Sequence, residues 1–197
     1  GLPRIIDNGM EVDEVYKIKN VDVSTGHIEF EGSVIIDGDV CEGMKVIASG
    51  DITIGGFVES AYLEAGGDIT ISSGIIGKKQ DVEDLKLADI TMSVNIKAQG
   101  SVYAKYCQYA EIHCNNLRIE NQMMHSIIHV EQRLWLGTDD KANGKLIAGF
   151  ISAGTSVHAG IVGATAGSTT IIQFTEHLAS LNEKLAKIDV LVDAESK

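Results

Sequence analysis

The segment Val46-Ile-Ala-Ser-Gly-Asp-Ile-Thr-Ile54 recurs almost unchanged as Leu63-Glu-Ala-Gly-Gly-Asp-Ile-Thr-Ile71. In both copies, apolar and polar residues alternate on either side of a pair that ends in glycine, which indicates two short strands joined by a tight turn. Weaker copies start with an apolar residue at five other positions: Ile28, Ile96, Ile112, Ile128 and Ile151. A unit of about 17 residues cannot bury its own apolar face, so successive units are expected to stack into a solenoid.

Three positions of the repeat are apolar. The first position holds Ile28, Val46, Leu63, Ile96, Ile112, Ile128 and Ile151. The third position holds Phe30, Ala48, Ala65, Ala98, Cys114, Val130 and Ala153. A further column, five residues before a start, holds Cys41, Val58, Cys107 and Met123. All three columns are predicted to stack inside the solenoid, because each would otherwise expose a continuous apolar strip.

The predicted fold is all-β, a parallel β-helix over residues 27–172. Every strand of such a stack donates backbone N–H bonds to a neighbour, which proline cannot do, and the chain has a single proline, Pro3. The hexapeptide pattern of left-handed β-helices is absent, so the right-handed form is preferred. Residues 1–26 are predicted to form an N-terminal cap or the remnant of a preceding domain, and residues 78–94 an insertion.

A coiled-coil-type α-helix is predicted for residues 173–197. Its apolar seam, spaced alternately by four and three residues, is Phe174, Leu178, Leu181, Leu185, Ile188 and Val192. The favoured interpretation is the start of a coiled-coil arm through which the chain could form homo-oligomers. A helix packed as a cap on the β-helix is the alternative.

Charge and composition restrict the classes of function. The chain has 16 lysines and arginines against 28 aspartates and glutamates, which gives a net charge of −12. This charge argues against binding nucleic acids or anionic membranes. Three cysteines without a CxxC pair, no signal-peptide pattern in residues 1–20, and no apolar run of roughly 20 residues predict a cytoplasmic protein without membrane insertion.

Two histidines are a weak candidate for a metal site. His113 and His129 occupy the second position of neighbouring repeats, and adjacent strands lie about 4.8 Å apart. Neutral imidazoles bind metals, but a third ligand is not evident from the sequence, so structural histidines are the favoured interpretation.

Other candidates for chemistry have structural interpretations. Cys41, Cys107 and Cys114 fall in inward columns, where thiols tend to be inert. The stacked aspartates Asp51 and Asp68 follow glycines and are interpreted as turn caps rather than calcium ligands. No strip of paired carboxylates appears in the columns, as a carbohydrate-active β-helix enzyme would need. The sequence therefore predicts no enzyme, no cofactor and no resident metal.

One outward column carries residues that are enriched in protein-binding hot spots. Tyr103, Arg118, Trp135 and His158 are predicted to form a ladder on consecutive coils, with Tyr106 near its start. One interpretation is simple stacking between strands beneath a surface loop at residues 137–144. The other is a face that binds a protein partner.

Several segments together resemble the flagellar assembly protein A family. They are Val21-Asp-Val-Ser-Thr-Gly-His-Ile-Glu-Phe-Glu-Gly32, Glu64-Ala-Gly-Gly-Asp-Ile-Thr-Ile71, Ser73-Gly-Ile-Ile-Gly77 and the apolar seam after Thr170. The first of these is the most specific. The 78–94 insertion and the Asn115-Asn116 turn depart from the family pattern.

The resemblance implies a bacterial cytoplasmic protein with a right-handed parallel β-helix and a coiled coil. It implies a non-enzymatic, scaffolding or regulatory role in flagellar assembly or placement, including at the cell pole, through flagellar, polar or signalling proteins as partners. It supplies no catalytic motif. Two alternatives stay open on the residues alone: a cytoskeletal β-helix scaffold that polymerises end to end, and a β-helical carbohydrate-active enzyme.

Overall fold

The computed structural model of the chain describes residues 2–6, 9–78, 92–164 and 167–174. These residues form strands and turns, with no helix among them. The strands, in chain order, are β1 (Leu2–Ile6), β2 (Gly9–Asp13), β3 (Val15–Ile18), β4 (Ile28–Phe30), β5 (Ser33–Ile36), β6 (Lys45–Ala48), β7 (Ile52–Ile54), β8 (Val58–Glu59), β9 (Tyr62–Ala65), β10 (Ile69–Ile71), β11 (Gly74–Ile76), β12 (Val94–Ala98), β13 (Ser101–Gln108), β14 (Ala110–Leu136), β15 (Lys145–Ala153), β16 (Ser156–His158), β17 (Ile161–Val162) and β18 (Thr170–Phe174).

Apart from the antiparallel hairpin β1–β2, the strands pair in parallel and wind into a solenoid with three faces. Face A contains β4, β6, β9, β12 and β18, together with parts of β14 and β15. Face B contains β3, β5, β7, β10, β16 and parts of β13 and β14. Face C contains β8, β11, β17 and other parts of β13, β14 and β15. The predicted parallel β-helix is thus confirmed as an all-β solenoid, while its handedness stays a prediction.

The core is formed by inward side chains that stack from coil to coil. All seven residues of the first-position column are buried. In the third-position column Phe30 and Ala98 are half-buried and the other members are buried. Because these side chains alternate with outward ones along each strand, the same backbone that builds the core also fixes which residues face outward.

The solenoid begins earlier than the sequence predicted. Strand β3 pairs in parallel with β5, and Val21 pairs with Val40, so residues 15–21 already belong to the first coil. The repeated segment begins with a face A strand, and β4 is the first of these among the described strands, so the repeat does not reveal this coil. Only the hairpin β1–β2 lies outside the parallel stack in the described part of the N-terminal region.

The predicted helical seam starts too early. Phe174 ends strand β18, where it pairs with Ala153, and it is not helical. The other seam residues, Leu178, Leu181, Leu185, Ile188 and Val192, lie outside the described residues, as does most of the predicted 78–94 insertion.

Side-chain oxygens cap backbone N–H groups between successive coils at the corner from face A to face B. The Ser33 hydroxyl accepts from the Asp51 N–H at 3.0 Å, and the Asp51 carboxylate accepts from the Asp68 N–H at 2.8 Å. The Asp68 carboxylate in turn accepts from the Ser101 N–H at 2.6 Å. Gly100 leaves room for the Asp68 carboxylate, since a Cβ there would overlap it. These aspartates act as turn caps, as predicted.

A second corner, from face C to face A, uses a left-handed backbone. Ser60, Tyr109, His125 and Ala148 all have positive φ, between 42° and 55°. Gln108, Met124 and Ile147 are in register, so the three residues after them occupy equivalent positions on successive coils. The rings of Tyr109 and His125 stack there, with centroids 5.2 Å apart. One non-glycine residue in the left-handed region thus recurs at this corner, followed on the last coil by Gly149 with φ of 119°, at a steric cost that the flanking strands must offset.

Candidate functional site

Face B brings four of the predicted partner-binding residues into one outward column. Tyr103 is in register with Arg118, and Trp135 is in register with His158. The residues on either side of Tyr103, Arg118 and Trp135 are buried, which holds these three side chains outward. We call this column the face B ladder. Tyr106, the fifth predicted residue, is in register with Gln122 on face C and lies outside the ladder.

Members of the ladder contact one another in pairs. The Arg118 guanidinium lies 5.6 Å from the centroid of the Tyr103 ring, and the rings of Trp135 and His158 are 5.1 Å apart. The Tyr103 hydroxyl donates to the Glu120 carboxylate at 2.8 Å. Burial, followed by this hydrogen bond, raises the pKa of Tyr103 above its usual value, so the phenol stays neutral and remains a donor.

The 137–144 loop covers part of the ladder. The Trp135 indole N–H donates to the Thr138 carbonyl at 2.9 Å, and Arg118 forms an ion pair with Asp139. Trp135 and Arg118 are half-buried, whereas His158 is exposed. The predicted stacking under the loop is therefore present, and it leaves one end of the ladder open to solvent.

The two predicted histidines lie together on face A, and a third side chain joins them. The rings of His113 and His129 stack with centroids 4.5 Å apart and an angle of 11° between their planes. Nε2 of His113 lies 2.9 Å from Oε1 of Glu111. One ligand atom from each of the three residues lies within 4.8 Å of the other two. Sequence reasoning missed Glu111, although a strand places residues two apart on the same face.

His129 has an aromatic neighbour on each of two sides. Its ring lies between that of His113 and that of Phe150, whose centroid is 6.0 Å away. Burial, and then the neighbouring His113, lower the pKa of His129, while Glu111 acts in the opposite direction. Burial disfavours the charged imidazolium, so His129 is held in its neutral form.

An open groove runs along face A beside this cluster, and glutamates line it. They are Glu29, Glu31, Glu64, Glu111 and Glu131. These glutamates come from three neighbouring outward columns, so no single column of the repeat brings them together. Glu64 accepts a hydrogen bond from the Tyr62 hydroxyl.

Burial protects two of the three cysteine thiols from reaction. Cys107 and Cys114 are buried, and burial raises the pKa of each thiol to about 12. Cys41 is only half-buried, so its predicted place in an inward column was wrong: Val40 pairs with Val21 and Val58 in that column. Burial and nearby carboxylates also raise the pKa of Cys41.

In the described part of the chain, no helix has the length and apolar character to cross a membrane.

Comparison with known sequences identifies the family. Comparisons with curated proteins and with solved structures found no match. A family model described as the flagellar assembly protein A beta solenoid domain matches residues 14–197. This match begins one residue before β3, the first solenoid strand, and covers most of the 197 residues. The chain therefore belongs to the flagellar assembly protein A beta solenoid domain family.

Proposed function

We propose that this chain is a non-enzymatic scaffold of flagellar assembly that binds a protein partner through the face B ladder. The observation that carries the proposal is the alignment of Tyr103, Arg118, Trp135 and His158 on successive coils. Tyrosine, tryptophan and arginine dominate the binding energy of protein interfaces when they lie together in a partly desolvated patch. The family supplies the context of flagellar assembly.

The ladder has unused hydrogen-bonding capacity. Nε of Arg118 is buried and has no hydrogen-bond partner, although another nitrogen of the same guanidinium pairs with Asp139. An acceptor on a partner, such as a backbone carbonyl, would reach this nitrogen only after the Arg118 side chain rearranges on binding. Since the 137–144 loop rests on Trp135, the partner would contact this loop together with the ladder. The partners that we propose are flagellar, polar or signalling proteins in the cytoplasm, including at the cell pole.

Affinity capture from a lysate of a flagellated bacterium, followed by mass spectrometry, tests the ladder. The wild-type chain is compared with a Tyr103→Ala, Trp135→Ala double variant and with Tyr62→Ala, which removes a face A tyrosine. A partner of the ladder should be captured by the wild type and by Tyr62→Ala but lost from the double variant. Circular dichroism checks that all three chains are folded. Equal capture by all three would remove the ladder from the proposal.

A polymer-forming scaffold is the second candidate. Large apolar side chains are exposed near the last described strands: Ile161, Val162, Ile171, Ile172 and Phe174. Among the described strands, β17 and β18 pair only with β15, which leaves their outer edges open to another strand. Filaments in electron micrographs would support polymerisation, and a sedimentation coefficient that does not change with concentration would oppose it.

A carbohydrate-active enzyme would use the glutamate-lined groove of face A. Two of its glutamates already have partners, Glu64 with the Tyr62 hydroxyl and Glu111 with His113. The non-enzymatic role therefore remains our proposal. Release of reducing ends from a panel of polysaccharides, abolished by Glu111→Gln, would overturn it.

A further inference from the structure

We propose that Glu111, His113 and His129 form a binding site for a divalent transition-metal ion of the Zn²⁺ type. Two imidazole nitrogens and one carboxylate oxygen are a ligand set that such ions accept. Three protein ligands leave a further coordination position for water. This inference is independent of the face B ladder, which lies on another face of the solenoid.

The backbone holds the three ligands in place. All three lie on the continuous strand β14, which carries them on two successive coils of face A. His113 lies between the buried residues Ile112 and Cys114, and His129 between the buried residues Ile128 and Val130. Inward anchors on both sides of each histidine place its side chain on the outer surface of face A, while the ring itself can still rotate.

The three ligand atoms lie close to the spacing that a metal ion requires. Ligand atoms around tetrahedral zinc lie about 3.3 Å apart, given metal–ligand distances of about 2.0–2.1 Å. Oε1 of Glu111 and Nε2 of His113 are already 2.9 Å apart, and all three ligand atoms lie within 4.8 Å of one another. The stacked imidazoles must turn so that their lone pairs converge. The side chain of His113 is 44% exposed, which gives it room to turn and gives an ion a path from solvent.

The charges around the cluster favour a cation. Glu131 lines the same groove as the three ligands. Lys97 is the register partner of His113 on the preceding coil, but its ammonium group lies over the Tyr62 ring, 5.9 Å from the centroid. This lysine of the groove is thus turned toward an aromatic ring, where a cation is favourably placed.

Titration of the metal-free 197-residue chain with ZnCl₂, followed by calorimetry, tests the site. The wild type should bind one Zn²⁺ per chain. His113→Gln, His129→Gln and Glu111→Gln should each weaken binding by at least about tenfold, since even residues that only support a ligand change metal affinity by roughly 10–100-fold. The visible absorption of bound Co²⁺ gives a second readout of imidazole ligation.

His125→Asn is the matched control. This histidine lies four residues before His129 but is stacked on Tyr109 at the left-handed corner, and asparagine tolerates its backbone conformation. The control should bind Zn²⁺ as the wild type does. Circular dichroism identifies any variant that fails to fold, and His113, whose side chain is 44% exposed, then provides the decisive substitution. Absence of saturable binding, or equal binding by the wild type and the folded His113→Gln variant, would overturn the site.

Discussion

At the residue scale, burial separates the three cysteines. Cys107 and Cys114 are buried with pKa values raised to about 12, whereas Cys41 is half-buried. Only the thiolate reacts with a disulfide reagent. Cys107 and Cys114 are therefore protected twice, because the reagent cannot reach them and because their thiols stay protonated.

We therefore expect one thiol of the native chain to react slowly with Ellman's reagent and all three to react in urea. Cys41→Ser should abolish the reaction of the native chain. Rapid reaction of three thiols without denaturant would contradict the buried positions of Cys107 and Cys114.

The lowered pKa of His129 makes stability depend on pH. An unfolded histidine titrates near about 6.5, and below that pH the unfolded chain takes up a proton that folded His129 resists. The free energy of unfolding should therefore fall as the pH decreases from about 6.5 toward the lower pKa of folded His129. Above the unfolded pKa, the contribution of His129 should be constant.

Urea denaturation between about pH 7.5 and 5.5, with chelator present to keep the cluster metal-free, measures this slope. His129→Gln should show a shallower decrease than the wild type. His113→Gln serves as a comparison, because it removes the neighbour that lowers the pKa of His129 and leaves burial in place. Parallel curves for the wild type and His129→Gln would rule out the effect.

Much of the ladder could be predicted from the sequence, because outward columns follow from the same alternation that defines the core.

The error at Cys41 has a local cause. Val58 lies five residues before Leu63, but Val40 lies six before Val46, since the turn between them contains Gly43 with φ of 76°. The groove could not be predicted for another reason. Its glutamates belong to three different outward columns, and the repeat alone does not show that these columns line one groove.

At the element scale, the turn caps at the corner from face A to face B join successive coils. The Asp68 carboxylate bonds the Ser101 N–H across 33 residues of sequence. Asp68→Ala should lower the free energy of unfolding by about 1 kcal/mol, the usual size of one such hydrogen bond.

Asp68→Asn is the informative control for this cap. An amide oxygen can fill the same role, because Oδ1 of Asn20 already accepts from the Asp39 N–H at 3.0 Å. The asparagine variant should therefore lose less stability than the alanine variant in chemical denaturation. Equal losses would show that the carboxylate charge matters and that the hydrogen bond does not.

The strands of faces A and B could be predicted from the repeat, but two boundaries could not. Among the described residues, the first coil has no strand on face A in register with β4, so the repeated segment has no counterpart there. Phe174 fits both an apolar helical seam and the alternation of β18, and pairing with β15 decides in favour of the strand. Long-range pairing of this kind is not visible in local spacing.

At the scale of the whole molecule, each coil contacts mainly its two neighbours. The protection of backbone amides from hydrogen exchange should therefore vary along the stack. Strands such as β6 and β9 pair on both sides and are buried inward, whereas β17 and β18 pair only with β15 among the described strands. Hydrogen exchange followed by mass spectrometry should find the slowest amides in the middle coils and the fastest in β17 and β18. Uniform protection along the chain would contradict a stack held together by neighbours.

The acidic residues behind the net charge of −12 are not spread evenly over the faces of the solenoid. Glutamates line the face A groove, while the face B ladder presents aromatic rings and Arg118. Two faces of one rod thus offer different chemistry, so an ion on face A and a protein on face B would not compete for the same surface.

The loop over the ladder has an optical consequence. Trp135 is the single tryptophan of the chain, and its indole N–H is bonded to the Thr138 carbonyl of that loop. If the loop lifts away, the indole exchanges this bond for water and its fluorescence moves to longer wavelength. The protein thus carries a built-in emission probe that reports whether loop 137–144 is closed, open to solvent, or replaced by a bound partner.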